Sequence, residues 1–232
     1  SRTLEKERFG GGSMKGITSS ITGFKGLEVP YRYIKHEKTS NQLAIFLPGE
    51  GYTNSRPLFH FTEDVFMNHA TDLLEIDYQY KEKAYDDFSM EEICEAVQYD
   101  VTKVLESVLA ETSYDQYYFV AKSLGTIGLS AVINKPEFEH AKIIWLTPLL
   151  IRDEVLEAMV HSQHSALCFM GTNDRNYEVP RYERMIENPN IISSLIPQLN
   201  HGMQFEGDTL GSIDILKKVI GDIESFVKRT MI

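Results

Sequence analysis

Residues 117–132 of the chain read YYFVAKSLGTIGLSAV, an apolar run followed by a short turn and a stretch rich in small residues. The run predicts a buried strand, and the stretch Gly125–Ile133 predicts a helix that packs closely on a sheet. Ser123 stands in the turn between them, with Ala121 two residues before it and Gly125 two residues after it. A residue that projects from such a turn has a strained backbone, and its neighbours approach so closely that only small side chains fit. The pattern therefore predicts a serine that projects from the edge of a sheet.

Short apolar runs alternate with amphipathic stretches along the rest of the chain, which is typical of a sheet covered by helices on both faces. Most of the runs are apolar throughout, as central parallel strands are. The predicted strands are Leu27–Ile34, Leu43–Leu47, Asp72–Asp77, Gln116–Ala121, Lys142–Leu146, Ala166–Met170 and Ile191–Ile196. The clearest helices, with apolar residues at every third or fourth position, are Ser89–Glu111 and Ser212–Lys228. The predicted fold class is α/β, with a doubly wound and mostly parallel sheet.

The first residues of the sequence differ from the rest. Ser1–Ser13 reads SRTLEKERFGGGS, lacks apolar periodicity and ends in a Gly-rich run directly before Met14. We interpret this stretch as a linker or a remnant of cloning. No repeat, low-complexity tract or Pro/Gly-rich segment divides the remainder, so we expect Met14–Ile232 to form one domain.

Composition narrows the class of partner. With 42% hydrophobic and 25% charged residues, the 232-residue chain is expected to be globular. Its net charge of −11 repels phosphate groups, which argues against nucleic acid and anionic membranes as partners. The only cysteines, Cys94 and Cys168, lie outside any metal-type spacing, and the sequence has no Asn-x-Ser/Thr motif. We therefore expect a cytoplasmic protein, and the sequence leaves its oligomeric state open.

The strand, the small-x-Ser-x-small turn and the helix together resemble the nucleophile elbow of the α/β-hydrolase superfamily. Ala121 departs by one methyl group from the glycine that is usual at the first position. Taken alone, the five residues also fit a serine that caps a helix after a strand. The resemblance implies that Ser123 is a nucleophile and that the backbone N–H of Leu124 stabilises an oxyanion.

A serine hydroxyl becomes a good nucleophile when a histidine removes its proton and a carboxylate orients that histidine. In the superfamily the chain order is serine, acid, histidine. This order favours His201, which follows the last predicted strand on a turn between Asn200 and Gly202. The remaining histidines precede Ser123 or lie before predicted strands, and they are His36, His60, His69, His140, His161 and His164.

The sequence offers two candidates for the acid. Asp174 ends the stretch Cys168–Asp174, an apolar strand followed by a Gly-containing loop, and this resembles the acid loop of the superfamily. Asp153 follows the preceding strand, a position that some relatives use, but a helix-like stretch comes directly after it. A helix-capping role therefore fits Asp153 as well, and we favour Asp174.

The turn after the predicted strand Leu43–Leu47 reads PGEGY. The resemblance places the second oxyanion donor at the backbone N–H of Glu50, with Gly51 as the alternative, because Pro48 stands where many relatives have histidine. It also implies that Gly51 and Tyr52 contact the substrate. As a dinucleotide motif this turn lacks a third glycine, and Glu50 would put negative charge beside a pyrophosphate, so we discard that interpretation.

A metal site has one candidate, the group Glu157, His161 and His164, which would share a helical face. The group lacks the His-Glu-x-x-His pattern, so a solvated helix end explains it better. No metal and no cofactor are expected.

The resemblance implies a serine hydrolase that cleaves a carboxylic ester or thioester of a small molecule through an acyl-enzyme on Ser123. The short link between the strands Lys142–Leu146 and Ala166–Met170 leaves no room for a cap domain. The chain thus resembles the compact, lidless branch with dienelactone-hydrolase-like and small carboxylesterase proteins, although the former usually have cysteine at the position of Ser123. The alternative is a catalytically silent protein of the same fold that binds or regulates.

Overall fold

The structure, a computed structural model, describes residues 3–9 and 12–232, with side chains from Met14 onward. The strands are β1 (Thr3–Phe9), β2 (Gly12–Thr22), β3 (Glu28–His36), β4 (Gln42–Leu47), β5 (Asp72–Ile76), β6 (Gln116–Lys122), β7 (Lys142–Leu146), β8 (Ala166–Asn173) and β9 (Ile191–Asn200). The helices are α1 (Pro57–Met67), α2 (Met90–Val108), α3 (Leu124–Ser130), α4 (Asp153–His161), α5 (Val179–Ile186) and α6 (Thr209–Thr230).

The strands of the described residues form one sheet in the order β1-β2-β3-β5-β4-β6-β7-β8-β9. The six strands from β5 to β9 in this order are parallel, and β1, β2 and β3 extend the sheet in antiparallel fashion beyond β5. This confirms the predicted α/β, mostly parallel fold. The chain adds β5 on one side of β4 and then crosses to add β6 on the other side. At such a switch point a crevice opens beyond the carboxyl ends of the strands, and ligands bind there.

Helices cover both faces of the sheet. Alternate residues of β6 point into different layers, so that Phe119 and Ala121 join one apolar cluster while Tyr118 and Val120 join the other. Helices α2, α3, α4 and α5 contribute to the first cluster, and α1 and α6 contribute to the second. The uniformly apolar strands are thus explained by two buried faces.

Local sequence signals fix the ends of the long helices. The Ser89 hydroxyl accepts a hydrogen bond from the backbone N–H of Glu92 at 3.1 Å, and the Glu92 carboxylate reaches back to Ser89, which forms a capping box at the start of α2. Asp208 caps α6 by accepting from the N–H of Gly211 at 2.9 Å. Helix α6 therefore begins before the predicted Ser212, while α2 ends at Val108, earlier than predicted.

The seven predicted strands are all present, with their ends shifted by a few residues. The largest extensions carry β8 to Asn173 and β9 to Asn200, so both strands reach the candidate site residues. The sequence did not predict β1 and β2. Residues 3–9 and 12–13 of the stretch interpreted as a linker lie in these strands, and the rest of that stretch lies outside the described residues. An edge strand is held by backbone hydrogen bonds to its neighbour, so β1 needs no apolar periodicity. The domain limits Ser1–Ser13 and Met14–Ile232 stay predictions.

Two further features concern the cysteines and the hydropathy of the helices. Cys94 and Cys168 are both buried and form no disulfide. Among the helices of residues 3–9 and 12–232, none has the length and hydropathy to span a bilayer.

Strands β8 and β9 approach each other closely at Gly171. A Cβ atom at this position would lie 2.0 Å from the carbonyl oxygen of Leu199, next to a shift of register between Gly171 and Asn173. We expect Gly171→Ala to lower the free energy of unfolding by about 1–3 kcal/mol, because the backbones must separate to admit the methyl group. Urea unfolding followed by circular dichroism measures this change.

Gly221→Ala is the matched control for that substitution. Gly221 lies inside α6, and a Cβ atom there would have no atom within 4 Å beyond the neighbouring backbone of its own helix. Alanine should raise the free energy of unfolding by about 0.5–1 kcal/mol through helix propensity. Equal stabilities of Gly171→Ala and the wild type would contradict the close approach of β8 and β9.

Candidate active site

Five parallel strands end at one edge of the sheet, and each end leads into a different part of the candidate site. The residues that follow them are the turn from Pro48 after β4, Ser123 after β6, Thr147 after β7, Asp174 after β8 and His201 after β9. Because carboxyl ends of parallel strands share one edge, residues far apart in the sequence meet here.

Ser123 lies in the predicted strained turn between β6 and α3. Its backbone has φ 51° and ψ −116°, outside the regions that side chains normally allow. A Cβ atom at Gly125 would lie 2.0 Å from the carbonyl oxygen of Leu47, so only glycine permits α3 to start so near β4. The Ser123 hydroxyl makes no capping bond to α3. The structure therefore contradicts the helix-cap interpretation of this serine and leaves its hydroxyl for another partner.

That partner is His201. The Oγ atom of Ser123 lies 2.8 Å from Nε2 of His201, and Nδ1 of the same ring lies 2.7 Å from Oδ2 of Asp174. The Asp174 carboxylate is fully buried, whereas the imidazole is 23% exposed. The three side chains singled out from the sequence thus form one continuous line of hydrogen bonds from a buried carboxylate to a partly exposed ring and a serine hydroxyl.

The protonation of Asp174 fixes the direction of these hydrogen bonds. Burial alone would raise the pKa of Asp174, but hydrogen bonds from His201 and from Asn176 outweigh it, and the pKa lies below its usual value. The ionised carboxylate can only accept, so Nδ1 of His201 carries a proton and donates. In the neutral imidazole, Nε2 then presents its lone pair to the Ser123 hydroxyl, which donates.

Asn176 supports the carboxylate and was not identified from the sequence. Its backbone N–H and its side-chain amide donate to Oδ1 of Asp174 at 2.8 and 3.1 Å, and its Nδ2 lies 3.3 Å from Nδ1 of His201. An aspartate that accepts from the N–H two residues ahead forms an Asx turn. The Asp-x-Asn spacing was the available signal, although it is common in loops without this role.

The turn after β4 passes directly beside the serine. A Cβ atom at Gly49 would lie 3.4 Å from Cβ of Ser123, while Glu50 and Gly51 are exposed. Within the described residues, no backbone carbonyl accepts a hydrogen bond from the N–H of Glu50, Gly51 or Leu124. These N–H groups therefore have the donor capacity that the predicted oxyanion site requires.

Buried side chains from the next strand end hold this turn in place. The hydroxyl of Tyr78 donates to the carbonyl oxygen of Pro48, and the amide of Asn54 donates to Asp77 at 2.8 Å. Burial raises the pKa of Tyr78 well above its usual value, so the hydroxyl keeps the proton that it donates. The segment that carries Glu50 is thus fixed from both sides.

Lys122, directly before Ser123, is the second residue that the sequence did not reveal. Its side chain is buried, and its ammonium donates to the hydroxyl of Thr147 and to the backbone carbonyl of His201. A lysine at the end of an apolar strand usually extends into solvent, so its charge gave no indication of burial.

A cavity of about 450 Å³ lies between α1, α6 and the turn that follows β9, and Ser123, Asp174 and His201 are not part of its wall. Tyr52 lines it, together with both chain neighbours of His201, Asn200 and Gly202, whereas Gly51 is not part of its wall. Its apolar lining residues are Tyr52, Pro57, Leu58, Met203, Phe205, Ile213, Ile215, Leu216 and Val219. Charged side chains at Arg56, Glu206 and Asp208 complete the wall. The volume lies within the range of small-molecule sites.

The alternative site residues lie elsewhere. Asp153 begins α4 and forms an exposed ion pair with Arg181 at 2.7 Å, so it does not replace Asp174 beside His201. Glu157 pairs with His161 at 3.0 Å. His164 is instead buried beyond the end of α4, where it bonds to Ser162 and to the carbonyl of Phe138. Among the described residues no group of three or more His, Cys, Asp or Glu side chains is arranged to hold a metal ion.

Solved structures with the same architecture identify the fold. A cold-adapted esterase from an Arctic intertidal metagenomic library aligns with a TM-score of 0.68 over 97% of this chain and 98% of that chain, at 11% identity. A serine hydrolase without lid from Xanthomonas campestris aligns at 0.66 over 92% and 94%, with 15% identity. A Pyrococcus furiosus esterase aligns at 0.66 over 97% and 93%, with 13% identity. No protein-family model and no curated protein matches the sequence.

The chain therefore has the α/β-hydrolase fold, as the resemblance of its serine turn implied. The connection between β7 and β8 holds α4 and no inserted cap, which agrees with the predicted lidless architecture.

The lowered pKa of Asp174 makes stability depend on pH. Because the folded-state pKa lies below the unfolded value of about 3.9, this carboxylate stabilises the fold fully above that value and loses its contribution as pH falls through the folded-state pKa. We expect the wild type to lose stability relative to Asp174→Asn below about pH 4. Urea unfolding at a series of pH values measures the difference, with Asp153→Asn as the surface control. Parallel pH curves for the wild type and Asp174→Asn would show that the carboxylate is not held as described.

Proposed function

We propose that this protein is a serine hydrolase that cleaves a carboxylic ester or thioester of a small molecule through an acyl-enzyme on Ser123. The observation that carries the proposal is the hydrogen-bond line from Ser123 Oγ to His201 Nε2, at 2.8 Å, and from His201 Nδ1 to Asp174 Oδ2, at 2.7 Å. The esterases and the lidless serine hydrolase of the same fold support the reaction class.

In the acylation step, Ser123 Oγ attacks the carbonyl carbon of the substrate while Nε2 of His201 takes the hydroxyl proton. The ring then carries a positive charge, which the buried Asp174 carboxylate stabilises through the Nδ1 hydrogen bond. When the tetrahedral intermediate collapses, the same proton passes from Nε2 to the leaving alcohol or thiol. Asp174 keeps its charge throughout and holds the ring in one tautomer.

The oxyanion of the intermediate is assigned to the backbone N–H groups of Leu124 and Glu50. Leu124 is the first residue of α3, and the turn that holds Glu50 passes within contact distance of Ser123 through Gly49. Each such donor contributes on the order of 3 kcal/mol to lowering the barrier. Gly51 remains the alternative to Glu50 as the second donor.

In deacylation the same steps recur, with water in place of the serine hydroxyl as the nucleophile. His201 removes a proton from a water molecule, the resulting hydroxide attacks the acyl carbonyl, and the proton returns to Ser123 Oγ as the carboxylic acid leaves. The imidazole is partly exposed, so solvent water can reach it. No cofactor enters these steps.

The cavity beside Tyr52 is the proposed binding site for an apolar part of the substrate. Its floor of Leu58, Met203 and Val219 is buried, and the half-buried Leu216 lines it as well. Each methylene group that such a surface removes from water is worth about 0.8 kcal/mol. We therefore expect kcat/KM to rise with the length of the apolar chain until the cavity is filled.

Covalent labelling tests the nucleophile. A fluorophosphonate should label the folded wild type at Ser123, and Ser123→Ala should abolish labelling and lower ester hydrolysis by at least about 1,000-fold. Asp174→Ala should also lose most activity, whereas Asp153→Ala should keep it. Mass spectrometry of the labelled peptide and p-nitrophenyl ester assays give both readouts. A folded wild type that stays unlabelled would overturn the assignment and favour a silent protein that binds the same ligands.

Filling the cavity tests the substrate site separately. Leu216→Trp should reduce kcat/KM for p-nitrophenyl octanoate by about 10-fold, the loss expected when the contacts of about two methylene groups disappear. Hydrolysis of p-nitrophenyl acetate should change little. Ile186→Trp, an exposed position on α5, is the control. If Leu216→Trp left the ratio of the two substrates unchanged, the apolar chain would have to bind elsewhere.

A further inference from the structure

Lys122 is a buried cation at the centre of the candidate site. It is the last residue of β6, one peptide bond from Ser123, and only 1% of it is exposed. Its Nζ lies 2.9 Å from the hydroxyl of Thr147 and 2.8 Å from the carbonyl oxygen of His201, and 4.8 Å from the centre of the Tyr52 ring. The ammonium has three N–H groups and meets two acceptors and one aromatic face.

These three neighbours come from three different strand ends. Thr147 follows β7, His201 follows β9, and Tyr52 belongs to the turn after β4. Lys122 itself ends β6. A single side chain therefore joins the turn that carries the imidazole to the strand that carries the serine, and also to the turn proposed to hold the oxyanion.

The backbone of Thr147 is strained at the point where its hydroxyl accepts a hydrogen bond from Lys122. Thr147 is fully buried and has φ 40°, a conformation that a β-branched residue rarely adopts. The strained residue presents its hydroxyl to Lys122 at 2.9 Å. Strain of this kind persists where the surroundings impose it, and it concentrates at functional sites.

Packing alone does not require a lysine here. A methionine side chain would fill a similar volume without the desolvation of a charge, and replacing buried charges by apolar residues is often neutral or stabilising. The groups in direct contact with the cation are nonetheless neutral, and Asp174 is the charged group that favours its protonated form. The carbonyl of His201 is the one among them that belongs directly to the line of hydrogen bonds with Ser123.

We propose that Lys122 is a positioning residue for His201. The ammonium group of Lys122 holds the backbone carbonyl of His201 and thereby keeps the imidazole aligned with Ser123. This role rests on the proposed hydrolase function, which it deepens by assigning a task to the residue that precedes the nucleophile. Lys122 does not touch the reacting atoms. It acts through the position of the His201 turn.

The charge state of Lys122 gives the proposal a pH dependence. Burial lowers the pKa of Lys122 to about 8, although Asp174 opposes this shift by favouring the charged form. The titratable groups that face it from the surrounding elements are Tyr52, His201 and Asp174. Above that pKa, the neutral amine has two N–H groups for three neighbours and no charge to strengthen the bond to His201. Alignment should weaken, and kcat should fall as pH rises through about 8.

Replacement of the lysine tests this role. We expect Lys122→Met to lower kcat at neutral pH by about 10- to 100-fold with little change in KM, because a displacement of the imidazole by a fraction of an ångström affects the chemical step. The decline of kcat near the Lys122 pKa should disappear in this variant. Lys122→Gln, a neutral donor, should restore part of kcat without restoring the pH dependence. Lys103→Met, an exposed lysine on α2, is the control that should behave as the wild type.

A readout that needs no turnover separates this proposal from the proposed function. In proton NMR, the Nδ1–H of His201 that is shared with Asp174 should give a downfield resonance in the wild type, and Lys122→Met should broaden or shift it. Folded Lys122→Met with unchanged kcat, pH profile and resonance would overturn the positioning role. A His201 resonance that is the same in Lys122→Met as in the wild type, with Ser123-dependent hydrolysis intact, would also count against the positioning role. If wild-type hydrolysis did not depend on Ser123, the proposed function would fail while the resonance still reports on alignment.

Thr147→Val keeps the test decisive if Lys122→Met does not fold. Valine has the shape of threonine and removes only the hydroxyl that accepts from Lys122. With one acceptor lost, the ammonium is held less firmly, so we expect a smaller loss of kcat in the same direction and a lower pH for the alkaline decline. An unchanged pH profile in Thr147→Val, with Lys122→Gln also unchanged, would overturn the proposal.

Discussion

The start of α3 against the end of β4 is the constraint on which the site depends. The backbone of Gly125 meets the carbonyl of Leu47 so closely that any side chain at this position would overlap with it. This contact occurs at the sharp, strained turn of Ser123, whose hydroxyl lies 2.8 Å from Nε2 of His201. Two adjacent strand ends, β4 and β6, thus place the nucleophile candidate beside the backbone N–H groups proposed for the oxyanion. The order of strands in the sheet makes them neighbours.

The other half of the site depends on β8 and β9, which are farther along the same edge. Their extension toward the edge brings Asp174 and His201 together, and buried hydrogen bonds then hold the carboxylate ionised. A buried charge is stable only with several partners, and Asp174 has them in His201 and in both N–H groups of Asn176. The ring and the carboxylate therefore already have the geometry that the proposed proton transfer requires.

The sequence predicted those features that leave a periodic or positional signal. Uniformly apolar runs marked the parallel strands, and small residues around Ser123 marked the close approach of α3. Asp174 and His201 were singled out because each follows a predicted strand in the chain order of the superfamily that the sequence resembles, and the structure joins both to the serine through hydrogen bonds. The assignment of chemical roles to them rested on the resemblance rather than on periodicity.

The features that were missed depend on contacts between distant elements. Lys122 and Asn176 have ordinary residue types for their positions, and only the folded chain shows that one is buried and the other bonded to Asp174. Helix α5 is only eight residues long and buries only Tyr182 and Met185. Strand β1 is held by backbone pairing with β2, and such pairing leaves no pattern of side chains in the sequence.

The two apolar layers of the sheet have a consequence for how such a protein can diverge. The helices that support the serine turn pack in one layer, whereas the cavity wall contributed by α1 and α6 belongs to the opposite layer. In the proposed enzyme, cavity substitutions on α1 and α6 are thus separated by the thickness of the sheet from substitutions in the helices that support the serine turn. Selection can modify substrate preference without disturbing the nucleophile, since the two properties draw on different sets of packed side chains.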